Sequence, residues 1–439
     1  MEQFRLPRIE MPELALPSSI QAVLADAEAK LAHRPKLQRL FRNCFPNTLE
    51  TTTKLLDDGT TFVITGDIPA CWLRDSVEQV IHYVPFAAED ADLQRIIGGL
   101  IKRHTEYVLI DPYANAFNES ANDWHWNAAD VTEMSPWVWE RKFEIDSLCF
   151  VIRLAHAYWE ETKQTDFFTS DFKKMLRVIT DLFKREQHHA EQSPYRFTRN
   201  NGIMEDSIRN GGLGMPVNYT GMIWSGFRSS DDACDFHYNI PGNMFAVVAL
   251  RQMQDFAEWV FRDLDFLAEL KELEQEVDHG IKLYGIYRHP EFGPIYAYET
   301  DGYGNYSLMD DAGTPGLMSI PYLGYLNNDD PVYQNTRRFA LSKENPFYFE
   351  GKAAKGIGSP HTPPGYIWHM ALSMQGITAD SKEERLAVIA MLEATDADTG
   401  YMHEGFHADD PSVFTRKWFA WSNSLFSQLI LRALKEGIL

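Results

Sequence analysis

An all-α scaffold whose loops gather at one end is the fold class this sequence predicts. Three observations predict it. Apolar residues recur at the i, i+3, i+4, i+7 spacing of helices with one buried face. Long segments rich in Trp, Tyr, His, Gly and Pro separate those stripes, too aromatic for disorder and too long for idle connections. No Ser/Gly linker, charge run or period-locked repeat divides the 439 residues, so one domain spanning 1–439 is expected.

The elements follow in chain order. Ser19 precedes Ile20, Val23, Leu24, Ala27 and Leu31, and its hydroxyl reads as an N-cap for that stripe. Leu37, Leu40, Phe41 and Cys44 continue the pattern until Pro46. Thr61–Thr65 reads as a short β piece. The next stripes are Leu93/Ile96/Ile97/Leu100/Ile101, Ile145/Leu148/Cys149/Ile152 and Phe172/Met175/Leu176/Ile179/Leu182/Phe183. Phe245/Val248/Ala249/Met253/Phe256/Val260 follows, then a second β piece at Tyr296–Glu299, and the last stripe is Leu425/Phe426/Leu429/Ile430/Leu434. The segments 111–139, 200–243, 285–317, 350–365 and 398–417 are the loops expected to build a site at one end.

Composition narrows the partners. The chain is 44% hydrophobic, ample for a large core. Its 41 Lys+Arg against 63 Asp+Glu leave a net charge of −22, which repels nucleic acid and anionic membrane and suits a neutral ligand. Solubility alone also explains such acidity. The cysteines Cys44, Cys71, Cys149 and Cys234 lie far apart without a CxxC pair. They indicate neither a zinc site nor a disulfide framework, but buried thiols in a reducing compartment. Met1–Pro7 lacks a charged region followed by an apolar one, and no apolar run is long enough to span a bilayer, so a cytoplasmic location is expected.

Several segments set carboxylates among aromatic and small residues. Paired Asp in a loop, as at Asp231-Asp232, is ordinarily a cap or an Asx-turn. The chemical reading makes one of them a general acid, whose pKa must rise from about 3.9. Asp232 is then the neighbouring charge that raises it, and Arg228 opposes the rise. Glu404 sits between His403 and Gly405, with Asp409 and Asp410 close behind, and local sequence does not choose among these three as a base. Thr65–Asp75 contains Trp72, Arg74 and Asp75, either a turn with a surface ion pair or a sugar platform with charged groups for its hydroxyls. Asn115, Glu140 and His361 lie in segments of the same flavour. Two carboxylates across one sugar pocket are the chemical minimum for cleaving a glycosidic bond.

Three other matches carry less. Gly356-Ile357-Gly358 lacks the strand-to-helix setting of a nucleotide fingerprint. Met309-Asp310-Asp311 reads as a turn rather than a metal site. Asp231–Asp235 spells DDxxD, the magnesium-diphosphate motif of isoprenoid synthases, but no second metal motif accompanies it on a helix. No cofactor or metal is expected.

The segments ITGDIPACWLRDS (64–76), DPYANAF (111–117), WVWERKFEIDSLC (137–149), YTGMIWSGFRSSDDAC (219–234) and NMFAVVAL (243–250) together resemble glycoside hydrolase family 125, the exo-α-1,6-mannosidases. YAYETDG (296–302), GKAAKGIGSPHT (351–362), TGYMHEGFH (399–407) and FAWSNSLF (419–426) extend the resemblance almost to the C-terminus. It implies an (α/α)6 toroid with the site at one mouth. It also implies metal-independent, inverting hydrolysis of terminal α-1,6-linked mannose from small oligosaccharides such as N-glycan fragments. The family's acid falls on Asp231 and its base on Glu404, with Trp72, Arg74, Asp75, Asn115, Glu140, Arg228 and His361 expected around the terminal sugar. Two positions depart from the family words: Ser229 replaces a Pro and Cys71 a Met. Ser229 is expected to loosen the loop carrying the acid without removing a functional group.

Rival readings are a glycoside phosphorylase on the same scaffold, which replaces the base with a phosphate pocket, and a carbohydrate-binding protein without catalysis. The presence of Glu404 argues against the first, and of both carboxylates against the second. The sequence carries no reading of oligomeric state.

Overall fold

The structure is a computed structural model that describes residues 11–439; the reading of Met1–Pro7 lies outside the described residues. Among the described residues, six helices stand in an inner ring. They are α4 (Leu73–Val80), α6 (Ile145–Thr162), α9 (Ile240–Asp255), α11 (Ile320–Leu323, extended by a 3-10 turn from Leu317), α13 (His369–Ile377) and α15 (Ala420–Lys435). Each packs on the next, the turn before α11 touches α13, and α15 returns to α4, which closes the ring. The outer layer is α1 (Ser18–Lys30), α2 (Pro35–Cys44), α5 (Ala91–Ile110), α7 (Ser170–Glu186), α10 (Leu264–Tyr284), α12 (Pro331–Ala340) and α14 (Lys382–Ala394); α3 (Asn47–Thr51) and α8 (His189–Gln192) are single turns. This alternation of inner and outer helices is the (α/α)6 toroid.

Burial separates the two layers. On α7 the buried residues Phe172, Met175, Leu176, Ile179, Leu182 and Phe183 form one face, as an outer helix requires. All eight residues of α4 are buried, charged ones included, because an inner helix has neighbours on every side. In α4 and α13 polar and apolar residues are buried together, so they do not register in the spacing, although the inner α6, α9 and α15 do. The outer α10 carries a stripe, Phe266/Leu270/Leu273/Val277/Ile281, which the sequence reading passed over.

The start of α1 differs from expectation. Pro17 is the N-cap and Ser19 lies inside the helix; the carboxylate of Asp90 does the capping from outside. One Asp90 oxygen accepts from the Ser19 N–H at 2.9 Å, and the other accepts from the N–H groups of Asp92 and Leu93, so a single side chain caps α1 and α5 together.

Three small antiparallel sheets crown the inner helices. One joins Cys71–Trp72, Ala116–Phe117 and Val138–Glu140. A second joins Tyr366–Trp368, Gly405–His407 and Asp410–Phe414, and a third joins Tyr306–Ser307, Glu299–Thr300 and Tyr238–Asn239. The expected β pieces settle as Thr61–Val63 and as Gly293–Tyr296 followed by Glu299–Thr300. Near the chain's closure, Gly66 pairs with Phe419 at φ 125°, and a Cβ there would strike the Trp418 carbonyl oxygen at 2.7 Å. All four cysteines are free and buried. No helix among the described residues is long and apolar enough to cross a membrane.

Candidate active site

At the crowned end lies a cavity of about 240 Å³. Residues at or just before the N-termini of α4, α13 and α15 line it: Trp72 and Arg74, then Trp368, then Phe419 and Trp421. Helix N-termini carry partial positive charge and favour anionic groups near them. Trp126 from the 111–139 loop adds another aromatic wall.

Asp231 and Glu404 both line this cavity, as do Trp72, Arg74, Asp75, Glu140 and His361. Asn115 and Arg228 do not. Asn115 is fully buried behind the wall, where its amide donates to Glu140 at 3.0 Å and its carbonyl accepts the Lys142 N–H. Arg228 points away from the cavity into Glu299, at 2.6 Å, and Asp235. Both shape the site from behind its lining.

The loop carrying Asp231 is a tight reversal. Phe227 bridges Ala233, the Arg228 N–H donates to the Asp232 carbonyl, and the Asp231 N–H donates to the Arg228 carbonyl. Asp231 sits at the tip with φ 68°, a left-handed conformation that Asp tolerates better than most residues. The loop is pinned on every side. Ser229 Oγ donates to the Pro315 carbonyl at 2.9 Å, Ser230 Oγ to Asp311 at 2.6 Å, and Lys142 Nζ to the Asp231 carbonyl at 2.6 Å. Ser229 therefore anchors the loop rather than loosening it, because the hydroxyl supplies a bond that a Pro ring lacks.

The charge partners of Asp231 also differ from expectation. Asp232 turns away to His361 Nδ1, 2.8 Å distant, and Arg228 is engaged elsewhere. Arg74 reaches Asp231 instead, at 2.8 Å. The same guanidinium touches Glu144 at 2.7 Å and Asp146 at 3.1 Å, and lies 3.7 Å from Asp75. The Arg74–Asp75 pair is thus a buried cluster, not a surface ion pair. Burial raises the Asp231 pKa, but Arg74, a hydrogen bond with Glu144, Lys142 and His361 together hold it well below the usual carboxylate range. Burial pushes Glu144 well above that range, against the opposing pull of Arg74. Burial lowers His361, yet the Asp232 carboxylate, with Glu404 and Asp231, lifts it to about 9, so the ring is cationic at neutral pH.

Glu404 stands where a strand meets α13. Its carbonyl accepts the His369 N–H, and the Gly405 N–H after it donates to Thr415. Its side chain is 9% exposed and makes no hydrogen bond with the described residues; Arg416 is 3.6 Å away, itself tied to Asp67. The other cavity carboxylates are occupied. Asp75 accepts from Thr65, Glu140 from Asn115 and Arg199, and Asp206 from Lys142. Asp409 and Asp410, the competitors for the base, are not among the lining residues.

Sequence reasoning missed Lys142, Glu144, Asp146, Arg199, Arg416 and Trp421 as parts of this site. The signal for most of them lies in the segments 137–149 and 419–426, the same stretches that resemble the family. The DDxxD aspartates diverge to Arg74, His361 and Arg209, and no group of three or more His, Cys, Asp or Glu among the described residues could hold a metal ion. Asp310 is the expected turn: its carboxylate accepts the N–H groups of Asp311, Leu317 and Met318.

Comparison with known proteins fits this geometry. The family model for metal-independent α-mannosidases (GH125) matches residues 34–431. A family member from Streptococcus pneumoniae, solved in a non-productive substrate complex with α-1,6-mannobiose, superposes with a TM-score of 0.94. It is 44% identical, and the match covers 96% of this chain and all of that one. The meiotically up-regulated gene 157 protein of Schizosaccharomyces pombe is 37% identical over 95% of this chain and 86% of its own. A point variant of another glycosidase shares the fold at 12% identity and a TM-score of 0.55, over 97% of this chain and all of that one. The chain belongs to glycoside hydrolase family 125, the metal-independent α-mannosidases.

Proposed function

We propose that this α-mannosidase removes a non-reducing terminal mannose from α-1,6-linked oligosaccharides with inversion, working as one domain in the cytoplasm. Asp231 protonates the leaving oxygen. Glu404 takes a proton from the water that attacks the anomeric carbon from the opposite face. The observation that carries the reading is that both carboxylates line one small cavity and that, among the described residues, Glu404 alone of the lining carboxylates keeps its lone pairs free of protein donors. A base must keep them free for water. The mannobiose bound by the pneumococcal relative supports the linkage, and the four buried thiols support a reducing compartment.

The test is a pair of variants on two substrates. Asp231→Asn is expected to lose about 10²–10⁴-fold on α-1,6-mannobiose and far less on a dinitrophenyl α-mannoside, whose leaving group needs no proton. Glu404→Gln is expected to lose both. Equal behaviour of the two variants on the activated substrate overturns the assignment of roles. Stimulation of turnover by phosphate would favour the phosphorylase reading instead.

A further inference from the structure

A general acid must carry a proton, and the surroundings of Asp231 present a difficulty. One buried guanidinium, Arg74, faces four carboxyl groups: Asp75, Glu144, Asp146 and Asp231. Lys142 and His361 add positive charge on the Asp231 side, but Lys142 is shared with Glu140 and Asp206, and His361 with Asp232. Four ionised carboxylates, three of them buried with the guanidinium and Asp231 at the cavity wall, do not balance against one cation. Glu144 Oε2 and Asp231 Oδ1 sit on the two terminal nitrogens of that guanidinium, at 2.7 and 2.8 Å, and so are neighbours on one cation. Two carboxyl groups in such contact hold one proton between them. Glu144 is also fixed by donation from Ser147 Oγ at 2.9 Å and faces the Asn115 amide at 3.4 Å.

We propose that Glu144 is the positioning partner of Asp231: the two carboxyls share one proton, which Glu144 hands to Asp231 and Asp231 delivers to the leaving oxygen. This rests on the reading of Asp231 as the acid. The steps balance. The shared proton leaves Glu144 for Asp231 and passes from Asp231 to the glycosidic oxygen, which keeps the electron pair of the breaking C–O bond. Both carboxyls of the pair are then ionised. Glu404 receives the proton of the attacking water and returns it through solvent to the pair after product leaves. One water is consumed. The burial that raises Glu144, with Arg74 holding Asp231 down, agrees with the proton resting on Glu144.

Glu144→Gln keeps the shape and deprives the pair of its shared proton. In kcat/KM for α-1,6-mannobiose, the basic limb of the pH profile is expected to move down by about one pH unit or more. Turnover near neutrality is expected to fall about 10-fold or more, and the dinitrophenyl mannoside to be far less affected. A wild-type basic limb in Glu144→Gln overturns the proposal. If Asp231→Asn cleaves mannobiose like wild type, the acid reading itself fails; if Asp231→Asn is crippled while Glu144→Gln keeps the wild-type profile, only the shared proton fails. Should Glu144→Gln not fold, infrared difference spectra of wild type minus Asp231→Asn at neutral pH decide. A protonated-carboxyl band present in wild type and absent in the variant is expected, and no such band overturns the proposal.

Discussion

Replacing Arg74 by Met removes the cation on which the acid side of the cavity is built. Arg74 is 2% exposed and makes charge-assisted contacts with Glu144, Asp146 and Asp231 at 2.7, 3.1 and 2.8 Å. Methionine fills much of the volume and restores none of them. Breaking a buried ion pair by removing one partner costs about 3–5 kcal/mol, because the charges left behind are uncompensated. Partial protonation of the orphaned carboxyls limits the loss to that range despite three contacts. With roughly 2.1 cal/mol/K of unfolding entropy per residue, a chain of 439 residues loses about 1 °C of Tm per kcal/mol, so a drop of about 3–5 °C is expected at neutral pH. The sign of the pH dependence follows from linkage. Carboxylates are ionised in the unfolded chain above about pH 4, and without Arg74 they must take up protons to fold, so the deficit grows as pH rises through that range and shrinks below it. Differential scanning fluorimetry at neutral pH and near pH 4 measures both. A variant as stable as wild type at neutral pH, or equally impaired at both, would refute the view of Arg74 as the counter-charge of a buried carboxyl cluster.

Three further predictions follow the same residues. In wild type, NMR should show the His361 ring titrating near 9, and Asp232→Asn should bring it down toward the ordinary 6.5; the stability this pair contributes is fully present below about 6.5 and lost as pH rises through about 9. Gly313→Ala drives a methyl group into Ser229 and should displace the Asp231 loop, lowering kcat for mannobiose with little change in KM, whereas an unchanged kcat would mean that the loop anchor does not place the acid. Exhaustive treatment with EDTA should leave turnover intact, as for a metal-independent family, and a loss restored by a divalent cation would contradict it.

Legibility in the sequence varies from helix to helix rather than by layer: the inner α6, α9 and α15 show their stripes as the outer α7 does. Outer helices such as α7 announce themselves because one face is wet. The inner α4 does not, since Arg74, Asp75 and Glu78 are buried with its apolar residues and blur the stripe. The mouth was legible as long aromatic loops, and Asp231 and Glu404 were legible through the words that carry them. Their partners were not. Sequence neighbours suggested Asp232 and Arg228 as the charges acting on Asp231, but the left-handed turn at Asp231 sends those side chains elsewhere. Arg74 and Glu144 replace them from helix starts 157 and 87 residues away in the chain, a proximity created by the side-by-side packing of the inner helices α4, α6 and α9. Ser229 was misjudged for a similar reason: its role lies in the Pro315 carbonyl across the loop, not in its own backbone freedom.

The most direct test of the central claim is the configuration of the first mannose released from α-1,6-mannobiose, followed by proton NMR before mutarotation. Attack by water under Glu404, opposite a leaving group protonated by Asp231, predicts β-mannose first. Initial release of α-mannose, or no mannose at all, would contradict it.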